Sequence, residues 1–416
     1  MTGGASGGAS GAAGGAGTVV GDVVEDLVVH SATLVEAAGA QPGTWVAVRG
    51  GEVVARGVGG GWREHAGGSG TEVLDADGAL LTAGMVDLHG HGGGGAAHEE
   101  GPGAVLAAAA AHREHGTTRS VVSFVSDAVD VLAERLAGVA DLVEEHPHVL
   151  GSHLEGPFLA LERKGAHSPG ALVDPTPAAV AHLLDAARGT LRQVTLDPRR
   201  DGAVEAARAF AAAGVVVAVG HTEATHDEAA AAFDAGARLL THAFNAMPGL
   251  HHRAPGPVAA ACGDERVVLE LVLDGEHVHP AAAAVLLRAA AGRVALVTDA
   301  MAAAAGGEDG RYRLGGLDVV VSGGRAVVEG TDTLAGSTLT LDRALRTGVA
   351  AGLPLPVLVD AATAVPAGVL GLRGRLGALE PGRVADLVLL DDDLVVRSVR
   401  PSRRRVVPPG APAGRR

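Results

Sequence analysis

Large rings are nearly missing from this chain: Phe, Tyr and Trp make up 2% of its 416 residues. Packing must therefore rest on Ala, Val and Leu, within a composition that is 47% hydrophobic and long enough for a sizeable core. Cysteine is as scarce. A single one, Cys262, excludes an intramolecular disulfide and fits a reducing cytoplasm. No apolar run reaches the length of a membrane span, so a membrane partner is not expected. Positive charge is short as well. A formal net charge of −15 argues against nucleic acid or an anionic membrane surface, both of which need a broad positive face. Any anionic ligand must then meet a local cationic pocket. Lysine occurs once, at Lys164.

What the chain does contain is organised in three textures. Residues 1–17 are almost all Gly, Ala and Ser, lack the basic start and apolar stretch of a signal peptide, and are expected to be a disordered tail, as are residues 409–416. Short β-type runs at 27–29, 45–48, 52–55 and 72–74, separated by glycine-rich turns, read as an antiparallel sheet, and the same texture returns at 385–390 and 394–396. Segments 18–80 and 365–408 are thus expected to pair into one small β-sandwich domain. Between them, in 81–364, apolar runs alternate with alanine-rich helical stretches, the pattern of repeated βα units. Candidate strands are 85–89, 119–125, 149–154, 193–196, 215–219, 238–241, 267–273 and 294–298, a set that predicts a (β/α)8 barrel. Thr225 with Glu228 predicts a capping box, and 310–330 reads as a β-hairpin excursion.

Each of several apolar runs is closed by histidine or acid: His89-Gly90-His91, His153-Leu154-Glu155-Gly156-Pro157, Gly220-His221, Thr241-His242 and Val297-Thr298-Asp299. In a parallel barrel the strand ends converge on one mouth, so residues distant in sequence become ligands of one metal. His89 and His91, two apart on an extended strand, point to one side and can share an ion; a polar turn is the plainer reading. Glu155 at a strand end is costly to bury without a cation, or else is a turn glutamate before Gly-Pro. His221 and His242, each readable alone as a core histidine, make with Glu155 a His₂Glu set that leaves a position open for water. Asp299 is placed to take a proton from metal-activated water and pass it to a leaving amine; its rival role is an N-cap for 300–305. Asn245, Arg253 and His277 lie in loops after candidate strands, where a cation with amide donors can hold a phosphate, although a solvated surface arginine fits equally. His98, His112, His115 and His279 read as surface or structural. Lys164 follows a Gly-Pro-Phe loop and does not end a strand, which excludes a bridging carboxylated lysine and leaves that role to Glu155.

The run from Gly151 to Phe158 (Gly-Ser-His-Leu-Glu-Gly-Pro-Phe), Lys164-Gly165-Ala166-His167, Gly220-His221-Thr222, Thr241-His242-Ala243-Phe244-Asn245-Ala246-Met247, Asp274-Gly275-Glu276-His277, Val297-Thr298-Asp299-Ala300 and Leu334-Ala335-Gly336-Ser337 together resemble the N-acetylglucosamine-6-phosphate deacetylases of the amidohydrolase superfamily. The resemblance runs in register from about Val19 to about Val399. It implies a distorted (β/α)8 barrel with a small β-sandwich built from both terminal segments, usually as a homodimer. It implies that Glu155, His221 and His242 hold the main divalent cation, Zn²⁺ or Fe²⁺, with His89 and His91 leaving room for a second. By the same resemblance Asp299 is the catalytic acid/base and His167 polarises the acetyl carbonyl. Asn245, Ala246, Arg253, His277, Gly336 and Ser337, with His167, surround an amino sugar phosphate, and a partner subunit sometimes contributes. Two departures from the family pattern, Asp197-Pro198-Arg199 and Ala160, touch no ligand position and leave room for a shifted sugar preference. The rivals are an amidohydrolase acting on N-acetylgalactosamine phosphate or an N-acyl amino acid, and a catalytically silent sugar- or metal-binding relative.

Overall fold

The computed structural model describes residues 19, 20 and 26–407. The tails expected at 1–17 and 409–416 lie outside the described residues. All eight expected strands are present, as β1 (Met85–Asp87), β2 (Thr117–Val125), β3 (Val149–Glu155), β4 (Leu191–Leu196), β5 (Val216–Val219), β6 (Leu239–Leu240), β7 (Val268–Leu271) and β8 (Val294–Leu296). They pair in sequence order and in parallel. Each is followed by a helix: α1 (Pro102–Glu114), α2 (Val129–Glu145), α3 (Pro177–Ala187), α4 (Ala203–Ala212), α5 (His226–Asp234), α6 (Gly256–Gly263), α7 (Pro280–Ala289) and α8 (Leu341–Ala350). A parallel sheet covered by helices is buried on both faces, which is why β3 and β4 carry no exposed residue. The helices supply their side of the core at helical spacing, as in α2, where Leu132, Leu136, Val139 and Val143 are buried. Thr225 and Glu228 form the expected capping box at the start of α5.

No ladder joins β8 to β1 among the described residues; the seam is closed just beyond their ends. The Asp299 N–H donates to His89 O at 2.8 Å and the His91 N–H to Ala300 O at 2.7 Å. Beneath them the Thr298 hydroxyl donates to Asp87 Oδ2 at 2.6 Å. The residues that close the barrel are therefore neighbours of those that form its site.

The terminal segments build a second eight-stranded sheet from Val19–Val20, Leu27–Glu36, Gly39–Arg49, Glu52–Val58, Glu72–Asp75, Leu80–Ala83, Leu387–Leu390 and Val396–Arg400. Alternate residues such as Leu27, Val29, Val46, Val48, Leu81, Leu387 and Leu389 share one core. The sheet is mixed where an antiparallel one was expected. Leu27–Glu36 pairs in parallel with Glu72–Asp75 over residues 27–30 and with Leu80–Ala83 over 33–34. The change of partner falls at Ser31, whose φ of 57° breaks the strand's regular register. The excursion at 310–330 is a three-stranded antiparallel sheet, Gly310–Leu314, Leu317–Ser322 and Arg325–Val328.

Candidate metal centre and active site

Glu155 is the last residue of β3, while His89, His221, His242 and Asp299 fall within three residues of the ends of β1, β5, β6 and β8. The chain turns sharply there. His221, His242 and Asp299 adopt φ of 46°, 27° and 47°, a left-handed region that non-glycine residues enter at a cost of about 1–3 kcal/mol each, and one that clusters at functional sites. Gly220 permits the turn at β5, because a Cβ there would sit 2.7 Å from that of Thr241.

These turns bring the donors together. His221 Nε2 and His242 Nε2 are 3.0 Å apart, and each lies 3.0 Å from Glu155 Oε1. A second group, His89, His91, Glu155 and Asp299, shares Glu155 with the first. Its His89 and His91 Nε2 atoms are 3.1 Å apart, and His91 Nε2 is 3.3 Å from Asp299 Oδ1. The hydrogen bonds behind the rings show what this crowding means. His221 Nδ1 faces the carbonyl oxygen of Arg163 at 2.7 Å, so Nδ1 carries the proton and Nε2 presents a lone pair. Lone pairs and a carboxylate oxygen turned toward one another at 3 Å repel unless a cation lies between them. All six residues are at least nine-tenths buried, and nitrogen with carboxylate oxygen is the donor set of a divalent metal.

Burial raises the carboxyls of Glu155 and Asp299, but the surrounding imidazoles, His89 foremost, outweigh it and hold both below the usual carboxylate range. His167 behaves differently. Its Nδ1 accepts the Ser126 N–H at 3.1 Å, so the proton sits on Nε2, and burial pulls the ring down to about 4. It is a neutral N–H donor, 3.3 Å from Glu155 Oε2.

A cavity of about 320 Å³ opens over the two groups, lined by His91, Glu155, His167, His221, His242 and Asp299 and, further out, by Asn245, Ala246, His277 and Gly336. His277 donates Nδ1–H to Asp274 at 2.7 Å; burial opposes its charge, but Asp274 prevails and raises its pKa. Two expected residues stand elsewhere. Ser337 is buried behind the wall, its hydroxyl on Thr298 O and its N–H on Asp299 O, so it fixes the backbone of Asp299. Arg253 is exposed, rests on His252 and does not line the cavity. The rival role for Asp299 also lapses, since no helix follows at 300–305. Lys164 lies in a loop with its ammonium on Gly165 O.

Sequence reading missed the layer under the donors. Glu270, wholly buried within β7, meets His89 Nδ1 at 3.0 Å and Gln193 Nε2 at 2.7 Å. His153, neutral through burial, spans Ser123 and Thr195 at 2.9 Å each, and Thr195 meets Thr241 at 2.8 Å. The signal was present: Glu270 is an acid inside the apolar run 267–273, where an unpartnered carboxylate is untenable.

A parallel (β/α)8 barrel with histidine and carboxylate donors gathered at its strand ends defines a metal-binding hydrolase of the barrel type. The chain belongs to the amidohydrolase family, whose description matches residues 80–408. It is 39% identical over 332 residues to the N-acetylgalactosamine-6-phosphate deacetylase of Escherichia coli O157:H7, covering 79% of this chain and 88% of that protein. It is 35% identical over 339 residues to the N-acetylglucosamine-6-phosphate deacetylase of Danio rerio, covering 78% and 83%. Among solved structures, a mutant N-acetyl-D-glucosamine-6-phosphate deacetylase from Mycobacterium smegmatis in complex with N-acetyl-D-glucosamine-6-phosphate superposes with a TM-score of 0.85 at 40% identity, covering 92% of this chain and all of that one.

Proposed function

We propose that this enzyme removes the acetyl group from N-acetylglucosamine 6-phosphate, giving glucosamine 6-phosphate and acetate. The observation that carries the reading is the meeting, in one sugar-sized cavity, of a divalent-cation donor set, a neutral imidazole N–H and an ionised carboxylate. Glu155, His221 and His242 are the residues to hold the cation, Zn²⁺ or Fe²⁺, and His89 and His91 with Glu155 and Asp299 are those to hold a second. When bound, such an ion supplies Lewis-acid polarisation of the amide carbonyl and acidifies a water nucleophile.

The side chains do the rest. His167 points its Nε2–H at the acetyl carbonyl and strengthens that bond as negative charge grows on the oxygen. Asp299, ionised and anchored through its backbone to Ser337 and His89, takes one proton from the attacking water and delivers it to the amide nitrogen as the C–N bond breaks. His277, held above its ordinary pKa by Asp274, faces the phosphate with the backbone and amide groups of Asn245 and Ala246. Arg253, exposed outside the cavity, joins the phosphate site in this reading only where a homodimer completes it. The single cysteine and the absence, among the described residues, of a helix able to cross a membrane are consistent with our placing it in the cytoplasm.

The E. coli relative favours one second reading, the C4 epimer N-acetylgalactosamine 6-phosphate. Acetate release by metal-replete protein from both 6-phosphates, unphosphorylated N-acetylglucosamine and an N-acyl amino acid separates them. A charged hydrogen bond to the phosphate predicts a preference of about 10–100-fold over the unphosphorylated sugar. Equal or faster release from either unphosphorylated compound sinks the proposal, and tight binding without acetate release returns it to a silent sugar-binding protein.

A further inference from the structure

We propose that Glu270 is the positioning residue that equips this centre to hold a second cation. The inference rests on the reading above, in which Glu155, His221 and His242 hold the first.

Glu270 has no exposed surface and no Lys or Arg partner among the described residues. Both its oxygens are committed. Oε1 accepts from Gln193 Nε2 at 2.7 Å, and Oε2 faces His89 Nδ1 at 3.0 Å and accepts the His242 N–H at 3.2 Å. A carboxylate buried this deeply without a Lys or Arg needs a counter-charge at or beyond one of its donors. His89 is the one that leads there. Its Nδ1–H is fixed on Glu270, which leaves Nε2 as a lone pair 3.1 Å from His91 Nε2, 3.5 Å from Glu155 Oε1 and 3.6 Å from Asp299 Oδ1. Glu270 therefore sets the tautomer of His89, orients its ring and makes Nε2 a stronger donor, the service that a carboxylate behind a ligating histidine performs. Gln193 keeps the carboxylate from rotating away.

Charge points the same way. Glu155, Asp299 and Glu270 bring three carboxylates around His89, and a single divalent ion leaves part of that negative charge unmatched at the floor of the cavity. Two divalent ions would come closer to matching it.

The test is metal titration of the apoprotein by calorimetry with Mn²⁺ and again with Zn²⁺, supported by elemental analysis after dialysis. Wild-type protein is expected to take two ions per chain in two phases. In Glu270→Gln the first phase should stay within about threefold while the second weakens by about 10–100-fold, the usual loss when such a partner is removed. His89→Asn should lose the same phase, and adding Glu270→Gln to it should cost nothing further, which a merely structural role does not predict. If Glu270→Gln fails to fold, Gln193→Leu carries the test, with the same selective loss expected. Two ions bound by the folded variant as tightly as by wild type overturn the proposal. A wild type that never takes more than one ion overturns it too, yet leaves the deacetylase reading standing wherever acetate is released.

Discussion

At the scale of single residues, Asp299 is held where catalysis needs it by contacts that spare its carboxylate. Its N–H bonds to His89 O and its carbonyl receives the Ser337 N–H at 2.7 Å, while Gly336, at φ of 62°, passes so close that a Cβ would lie 2.9 Å from that carbonyl. Asp299→Asn keeps these bonds and the side-chain size but removes the base. Turnover should fall by about 10²–10⁴-fold with the fold and the ion at Glu155, His221 and His242 retained. Steady-state acetate release and metal content check this together; near-normal kcat removes the acid/base role. The donors themselves were legible in the sequence because each follows an apolar run, and a strand end is a one-dimensional feature. Glu270 left a signal as an acid within an apolar run, but its pairing with Gln193 and His89 was not legible, because these lie on other strands and only closure of the barrel brings them together. Arg253 was legible as a cation, with a phosphate ligand and a solvated side chain equally open, since sequence does not say which way a loop residue faces.

At the scale of elements, the eight barrel strands were readable for a physical reason: buried on both faces, they are continuous apolar runs bounded by turn signals. The mixed pairing of the terminal sheet was not, because parallel partners depend on long connections that leave no local mark. The link between α2 and β3 carries a pH response. His148 lies there, and burial, with Arg113 next in effect, pushes it down to about 3 from an ordinary 6.5. Between those values the unfolded chain binds a proton that the folded chain refuses, so stability rises with pH across the window and is lost as pH falls. Replacing the ring by Gln should flatten that part of the curve and change little above pH 7. Urea midpoints for both proteins from about pH 4 to 8 give the comparison. Parallel curves would show that His148 is not a source of acid sensitivity.

At the scale of the molecule, a buried ion pair is among the contacts that join barrel and terminal sheet. Arg119, at the start of β2, donates Nε–H to Asp386 Oδ2 at 2.8 Å and a terminal N–H to Oδ1 at 3.2 Å, and Asp386 also accepts the Ser402 N–H at 2.7 Å. The bodies approach so closely that a Cβ on Gly84 would fall 2.7 Å from that of Asp386. Removing one partner strands the other as a buried charge. Asp386→Ala should therefore cost about 3–5 kcal/mol, and Arg119→Met with Asp386→Leu much less, because no charge remains to desolvate. The chain supplies its own reporters. Its two tryptophans, Trp45 and Trp62, both pack in the terminal sheet with Val28 and Ala47, whereas α1 to α8 belong to the barrel. Tryptophan fluorescence thus follows one body and helical circular dichroism the other. In wild-type protein the two urea transitions should coincide; in Asp386→Ala the fluorescence transition should move to lower urea and precede the helical one. If both signals still change together at the wild-type midpoint, the pair does not couple the two sheets, and their cooperativity must come from the apolar contacts around them.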